Sequence, residues 1–318
     1  DVDIVSVCVE HERRGRVAVK CAQAGKHLYL DKPMTCSVED ADDVLAAVQA
    51  AGVRSQVFSF IHNPWTQSAK RAVESGVVGE LIAVHCDILF AKGYAGTASL
   101  GKPRKQDPYP GRFTFVDSKR ELRATGVYSV GLVRWIIGAE AQTVFGVTAN
   151  YFFAEHLRND VEDFGLLALM FDNKITATIA GGRIGYMSHP VAGPFRLHII
   201  GTKGLMTFGA HSPRIEVYAD EPPWTPPPAN PADPMGFWNS TYDKSVTKPK
   251  KTWVPLYEGS PSDVSRFIDC IEECRESEMS AKDGAAIVEV LMAGYVSAAS
   301  GDVVSLPLPR QSSVREGE

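Results

Sequence analysis

The 318-residue sequence lacks the features that mark membrane proteins, secreted proteins and nucleic-acid-binding proteins. No apolar run approaches the roughly 18 residues that span a bilayer, and no charged start followed by an apolar stretch resembles a signal peptide. The 33 basic and 38 acidic residues are interspersed, so no basic patch marks a contact with nucleic acid or an anionic membrane. We therefore expect a cytoplasmic protein that acts on a small molecule, with no nucleic-acid or membrane partner.

The cysteines are spaced neither as a disulfide framework nor as a zinc site. The six of them lie far apart and mostly within apolar segments. Even Cys270 and Cys274, one helical turn apart, fit ordinary packing better than metal binding. We therefore expect a reducing compartment and no metal.

A glycine-rich phosphate loop is also absent. No G-x-G-x-x-G follows a strand and precedes a helix, because Gly181-Gly-Arg-Ile-Gly185 falls among predicted β-strands. The sequence opens at Asp1 with an apolar strand, Ile4 to Val9, of the kind buried on both faces of a parallel sheet. We expect preceding βαβ units to be missing, and the chain as given to bind dinucleotide poorly.

Residues 3–60 alternate short apolar runs with helical patterns, which predicts a parallel, doubly wound sheet. Ser37 with Asp40 resembles a capping box, and Asn63-Pro64 places a capping side chain before a proline at the first helical position. The expected strands are 3–9, 27–30 and 54–60, with one helix ending near Gly25 and another over 38–51.

From Leu81 onward, apolar and polar residues alternate in runs separated by turn signals, typical of an antiparallel sheet with one packed and one exposed face. A long helix ending at Gly138 interrupts this pattern, and Ser118-Lys-Arg-Glu121 resembles the capping box at its start. The expected strands are 81–90, 143–153, 162–171, 174–181, 195–200, 205–208 and 214–219, with closing helices near 261–275 and 281–299.

The stretch His27-Leu-Tyr-Leu-Asp-Lys-Pro33 runs from an apolar strand directly into a lysine and a proline. Ligands of doubly wound sheets bind outside the carboxyl ends of the strands, and Lys32 lies at such an end. The proline restricts Lys32 to extended geometry, so the ammonium can be held there to exchange a proton with a substrate oxygen. Spacing alone favours an exposed lysine before a turn, because lysines with perturbed pKa values are rare.

Several stretches resemble the glucose-fructose oxidoreductase / inositol dehydrogenase / rhizopine catabolism protein family (Gfo/Idh/MocA). The segment Ala24-Gly-Lys-His-Leu-Tyr-Leu-Asp-Lys-Pro33 is similar to the family form A-G-K-H-V-x-x-E-K-P. The resemblance covers nearly the whole chain, and only the lysine-proline motif is specific. The other matching stretches are 1–7, 75–84, Val161-Glu-Asp-Phe164, Gly201-Thr-Lys-Gly-Leu205, Ser280-Ala-Lys-Asp-Gly284 and Ser305-Leu-Pro-Leu308.

The resemblance implies an N-terminally incomplete α/β Rossmann-type domain followed by an α+β domain with a large open-faced, mostly antiparallel sheet. Residues 1–80 would bind NAD or NADP, residues 81–310 would bind substrate and form oligomers, and 311–318 would be a tail. The implied reaction transfers a hydride to or from a sugar, sugar acid or cyclic polyol. Under this resemblance Lys32 becomes the catalytic candidate, with a pKa tuned towards the working pH.

The resemblance also places cofactor-binding residues at two strand ends. The family's T-P-N is here Val9-Glu10-His11, and the second strand end supplies Asp31, Lys32 and Pro33. His11 is a candidate for contact with the nicotinamide, although a lone histidine at a strand end is more often structural or solvated.

The second family motif, G-G-G-x-x-x-D-x-G-x-H-x-x-D, departs strongly when anchored on Gly126. Tyr128 stands at the histidine position, and Ala124 and Gly131 replace both aspartates. Tyrosine here is similar to the branch containing glucose-fructose oxidoreductase and dihydrodiol dehydrogenases, where a phenol is the proposed acid/base. We expect Tyr128 to share proton transfer if Lys32 lowers its pKa; the alternative is a tyrosine packed in the core.

Bulky and cationic residues replace the glycine triplet: Ser118, Lys119 and Arg120, with Arg123 one turn later. If Arg123 faces the pocket, it is a substrate-binding candidate alongside Lys32 and Tyr128, and an anionic sugar becomes attractive because guanidinium groups suit carboxylates. Their position at a helix start favours the alternative, in which these charges are solvated.

Three functions remain open. The first is an NAD(P)-dependent dehydrogenase, the second a redox-neutral lyase or glycosidase of the same family, and the third a sugar sensor that has lost its chemistry. In each case an uncovered apolar sheet face is expected to pair with another copy, giving a homodimer or homotetramer.

Overall fold

The computed structural model describes residues 2–91, 102–103, 120–184, 193–209, 212–219, 231–235, 249–254 and 261–310. The helices are α1 (His11–Gln23), α2 (Val38–Ala51), α3 (Pro64–Glu74), α4 (Glu121–Ile137), α5 (Ala154–Arg158), α6 (Asp263–Glu272) and α7 (Ala281–Ser300). The strands are β1 (Ile4–Val7), β2 (His27–Leu30), β3 (Ser55–Val57), β4 (Leu81–Phe90), β5 (Lys102–Pro103), β6 (Ala141–Asn150), β7 (Phe164–Phe171), β8 (Thr176–Arg183), β9 (Phe195–Gly201), β10 (Gly204–Gly209), β11 (Ser212–Ala219), β12 (Lys250–Trp253) and β13 (Val304–Ser305). The proposed tail and Ser118 with Lys119 lie outside the described residues.

The first sheet contains β1, β2 and β3 in that order, all parallel. Val7 pairs with Leu30 and Leu30 with Val57, so the three strands end at the same edge. This confirms the predicted doubly wound start, although β3 stops at Val57, three residues short of the predicted end. The chain segments that follow these strands therefore meet at one edge of the sheet.

The helix signals of this half are confirmed with one exception. The hydroxyl of Ser37 accepts the N–H of Asp40 at 3.1 Å, and Gly52 ends α2 with a φ of 63°. Pro64 starts α3 as expected, but the side chain of Asn63 makes no capping hydrogen bond, so that part of the prediction is wrong. The hydroxyl of Thr66 instead donates to the Asn63 carbonyl.

The second sheet has the strand order β12-β11-β10-β9-β4-β8-β7-β6-β13, with β5 paired to β6. All neighbouring pairs are antiparallel except β4 with β8, which is parallel. The expected large, mostly antiparallel sheet is confirmed, and strand ends differ by only a few residues. The division of the chain at residue 80 stays a prediction.

Helices α4 and α7 pack on one face of this sheet. Strand β6 and helix α7 approach so closely that a Cβ at Gly146 of β6 would collide with the backbone of Gly294 in α7. The opposite face carries exposed apolar side chains: Phe145, Leu166, Met170 and Leu205 are each more than a third exposed. The predicted open face is therefore present. None of the described helices is long and apolar enough to cross a membrane.

Glu162 and Asp163 are fully buried, and their carboxylates accept hydrogen bonds from backbone N–H groups. Asp163 accepts the N–H groups of Tyr151, Phe152 and Phe153, each at 2.9 Å. Three donors satisfied by one carboxylate fix the loop after β6 beside the start of α4.

Replacing Asp163 with alanine leaves three N–H groups in this buried corner without their acceptor, which should lower the free energy of unfolding by about 3 kcal/mol or more. Asp163→Asn, which keeps one acceptor oxygen, should lose less. Urea unfolding followed by circular dichroism measures both. Asp172→Ala at an exposed position is the control, and equal stability of Asp163→Ala and Asp172→Ala would contradict the assigned role.

Candidate functional site

The candidate site lies at the carboxyl ends of β1 and β2, against helix α4, which packs on the second sheet. The segment Asp31-Lys32-Pro33 follows β2 directly, and Val9-Glu10-His11 leads from β1 into α1. Because parallel neighbours end at one edge, the structure brings these two predicted groups together. The Lys32-Pro33 peptide bond is cis.

Lys32 reaches from the first sheet to α4. Its Nζ donates to the Ala124 carbonyl oxygen at 2.7 Å and lies 4.6 Å from the centre of the Tyr128 ring. Burial lowers the pKa of Lys32 to about 8, against the opposing effect of the Asp31 and Glu121 carboxylates. The alternative of an exposed surface lysine is therefore wrong, and the group can both hold and release a proton near neutral pH.

Tyr128 packs against other aromatic rings but remains partly exposed. Its ring stacks on Phe60 with 4.1 Å between centroids and an interplanar angle of 2°. Burial raises the pKa of the Tyr128 phenol to about 12, so the expectation that Lys32 lowers it is wrong. The physical reason is that burial penalises the phenolate, while the ammonium faces the ring.

An aromatic wall, defined as Phe58, Phe60, Phe90 and Tyr128, consists of four partly exposed rings that meet at Tyr128, the ring that Lys32 contacts. The centroids of Phe58 and Phe90 lie 6.3 and 6.1 Å from that of Tyr128. Sequence reasoning missed the three phenylalanines: Phe58 and Phe60 follow β3, whereas Phe90 ends β4, so no local spacing links all three to Tyr128 on α4. Such a wall suits the C–H face of a ring-shaped substrate.

His11 lies close to several cations. Burial, followed by the charges of Arg14, Arg123 and Lys32, lowers its pKa to about 4, so the imidazole is neutral at pH 7. Its Nδ1 is buried and has no hydrogen-bond partner among the described residues. A neutral imidazole with one unused nitrogen fits a polar group of a bound ligand at this edge.

Arg123 is only 2% exposed, so its assignment as a solvated helix-start charge is wrong, and so is that of Arg120 at 7%. The guanidinium of Arg123 donates to the Cys36 carbonyl at 3.3 Å, and its backbone N–H donates to the Tyr295 hydroxyl. The Arg123 side chain thus joins α4 to the segment that follows Lys32 and Pro33. Its direct contact with substrate stays a prediction.

Two further charged residues near Lys32 were not predicted as site residues. Glu121 was predicted only as part of a capping box, which is wrong because Arg120 is the N-cap of α4 and makes no capping hydrogen bond. Glu121 is 2% exposed and pairs with Arg183 at 2.9 Å. Arg14 is also 2% exposed and pairs with Asp31 at 3.0 Å. Their partners are distant in sequence, so no local pattern could have revealed these pairs.

The unused His11 nitrogen and the partly buried Lys32 ammonium are compatible with the polar nicotinamide end of a dinucleotide, and contact of these residues with the cofactor stays a prediction. Val9 packs against the core, and Glu10 is exposed at the N-cap of α1. No group of three or more His, Cys, Asp or Glu side chains suitable for a metal occurs within the described ranges.

Comparison with known proteins places two segments of the chain, residues 1–59 and 66–207, in one family. Residues 1–59 match the model of an oxidoreductase family with an NAD-binding Rossmann fold, and residues 66–207 match the GFO/IDH/MocA C-terminal domain. The uncharacterized oxidoreductase YrbE of Bacillus subtilis is 27% identical over 209 residues, which are 64% of this chain and 54% of YrbE. The scyllo-inositol 2-dehydrogenase (NAD(+)) of the same organism is 26% identical over 212 residues, 65% of this chain and 55% of that enzyme.

A solved structure, levoglucosan dehydrogenase in complex with NADH and levoglucosan, superposes with a TM-score of 0.73 at 18% identity. The superposition covers 96% of this chain and 80% of that one. The chain spans about half the length of the two curated relatives. The two family models together show that this chain belongs to the GFO/IDH/MocA family of oxidoreductases.

Proposed function

We propose that the protein is an NAD(P)-dependent oxidoreductase that transfers a hydride to or from a sugar, sugar acid or cyclic polyol. The observation that carries this proposal is the Lys32 ammonium, which is partly buried at the carboxyl ends of parallel strands and has a pKa of about 8. The names of the scyllo-inositol and levoglucosan enzymes support a sugar-like substrate. Residues 1–80 would hold the cofactor, and residues 81–310 the substrate.

The cofactor, when bound, would accept or supply the hydride. His11 and the backbone of Val9 and Glu10 would border its nicotinamide end, together with Asp31 and Pro33 on the next strand end. A neutral His11 can donate or accept a hydrogen bond there without adding a further positive charge.

Lys32 would exchange the proton of the reacting hydroxyl group. The Ala124 carbonyl and the Tyr128 ring hold its ammonium in place, which keeps the exchange geometry fixed. With a pKa of about 12, the Tyr128 phenol stays protonated at neutral pH and would donate a hydrogen bond to a substrate oxygen rather than act as a base. The positive charge of Arg123 would help to bind a substrate that carries a negative charge.

Replacing Lys32 with methionine should reduce turnover at least about 100-fold, the usual contribution of a proton-transfer group, without lowering the melting temperature, since a buried charge is removed. The measurement is absorbance at 340 nm with NAD or NADP and a panel of sugars, sugar acids and cyclitols, alongside cofactor-binding titrations. Cofactor binding with no net reduction on any substrate would instead favour the redox-neutral or sensor function.

Lys70→Met is a matched control for this substitution. Lys70 also donates to carbonyls of α4, those of Trp135 and Ile136, and lies 5.4 Å from the Trp135 ring centre. It sits away from the candidate site, so turnover should survive. Equal loss of activity in the two variants would show that Lys32 acts through stability and not through chemistry.

The pH dependence should follow Lys32. Oxidation requires the neutral amine, so its rate should rise as the pH increases through about 8. Reduction requires the ammonium, so its rate should fall over the same range. Initial rates in both directions between pH 6 and about 10 test this, and profiles that move in the same direction would contradict the assignment.

We also infer that the open face of the second sheet joins two copies of the chain. Phe145, Leu166 and Met170 lie on the neighbouring strands β6 and β7, where Phe145 pairs with Ala168 on the same face. Exposed apolar side chains grouped in this way are unfavourable in water and are covered by association.

The double substitution Leu166→Asp and Met170→Asp should therefore shift the protein towards the monomer, because it places carboxylates in an apolar contact. Light scattering after size exclusion measures the mass. The control is Val264→Asp with Ile268→Asp, a pair of similarly exposed apolar residues on α6. A monomeric parent protein, or an unchanged mass in the sheet variant, would contradict the inference.

A further inference from the structure

Arg14 is a buried cation that connects the two strand ends of the candidate site. It lies in the first turn of α1 and is 2% exposed. Its Nη2 donates to the Val9 carbonyl at 2.9 Å, and its Nη1 donates to the carbonyls of Asp31 and Pro33. One side chain thus forms hydrogen bonds with the segment that follows β1 and with the backbone on both sides of Lys32.

Burying a guanidinium costs a large desolvation free energy unless charge and hydrogen bonds compensate it. Here the carboxylate of Asp31 lies 3.0 Å from Nη2, and three carbonyl oxygens accept from the two Nη groups. The buried Nε has no hydrogen-bond partner among the described residues. A lysine could not satisfy these acceptors, because its single ammonium lacks the planar fork of donors. The site therefore uses arginine for its geometry as well as for its charge.

The ion pair also sets the electrostatic surroundings of Lys32. The Asp31 carboxylate raises the pKa of Lys32, whereas Arg14 lowers it, so the two neighbours partly cancel. The other charges acting on Lys32 come from separate elements: Glu121 on α4 and Arg183 on β8. Neutral His11 on α1 and protonated Tyr128 add no charge at neutral pH. Removing Arg14 would leave the Asp31 carboxylate uncompensated beside Lys32.

We propose that Arg14 is a positioning residue for Lys32: its guanidinium fixes the backbone on both sides of that lysine and neutralises the Asp31 carboxylate next to it. The inference deepens the proposed function, on which it rests for the role of Lys32. The competing explanation is that Arg14 only anchors α1 to the sheet. The two differ in whether the titration of Lys32 changes.

The test measures the titration midpoint of the Lys32 amine by carbon-13 NMR in protein labelled at the lysine ε-carbons, with Lys32→Met to assign the signal. This readout needs neither cofactor nor turnover. Arg14→Gln should raise the midpoint by on the order of one pH unit, the usual effect of one nearby charge. Asp31→Asn should lower it, and the double variant should return close to the parent value.

Arg54→Gln is the matched control. Arg54 also donates to a backbone carbonyl, that of Cys274, and pairs with Glu276, but it is not among the charges that act on Lys32. Its loss should leave the midpoint unchanged. An unchanged midpoint in Arg14→Gln would overturn the proposal and leave only the anchoring role.

Asp31→Asn keeps the proposal testable if Arg14→Gln fails to fold, because the Asp31 side chain is 38% exposed and the asparagine amide oxygen can still accept a hydrogen bond from Arg14. A midpoint that does not fall in Asp31→Asn would then overturn the electrostatic part. Arg14→Lys, which keeps the charge but loses the fork, should preserve the midpoint and lower turnover several-fold, whereas full turnover would overturn the geometric part. If no variant or parent turns over any substrate while the midpoints shift as stated, the proposed function fails and the assignment of Arg14 stands.

Discussion

The hydrogen bond from Lys32 to the Ala124 carbonyl is the contact on which the candidate site depends. It joins a strand end of the parallel sheet to the helix that packs on the large sheet, so the ammonium is positioned by both halves of the molecule. A backbone acceptor neutralises no charge, unlike a carboxylate. The pKa of Lys32 therefore remains low enough for proton exchange, which a close ion pair would prevent.

Around this lysine, each of two buried charges is paired with a partly exposed opposite charge, and neither pair includes Lys32 itself. Arg14 pairs with Asp31, and Arg183 with Glu121, each within about 3 Å. Pairing makes burial tolerable, and it also limits how strongly either carboxylate holds the Lys32 proton. The altered helix motif, with alanine and tyrosine where the family has aspartate and histidine, is thus compatible with a working proton-transfer group of a different design.

The sequence was sufficient for most of the fold because its signals are local. Apolar runs located the strands, and Ser37, Gly52 and Pro64 marked helix ends through contacts within one turn. The position of Lys32 at a strand end could also be predicted because that residue lies within a specific motif, whereas its catalytic role stays a prediction.

The remainder of the site could not be read from local patterns. Arg14 and Asp31 are 17 residues apart and meet only when the first sheet has formed. Lys32 and Ala124 are 92 apart and meet only when both parts of the fold have formed. The direction of the Tyr128 pKa was wrong for the same reason, since proximity to a cation was foreseen but the burial that outweighs it was not. Burial is a property of the assembled fold.

The low pKa of Lys32 also couples folding to protons. An unfolded lysine titrates near 10.5 and the folded one near 8, so between these values the unfolded chain binds more protons than the native chain. Stability should then rise with pH across that window, and the penalty for burying the ammonium is fully present below it. At neutral pH the folded protein is therefore less stable than it would be without this partly buried ammonium, and a ligand whose negative charge pairs with the ammonium would restore that stability.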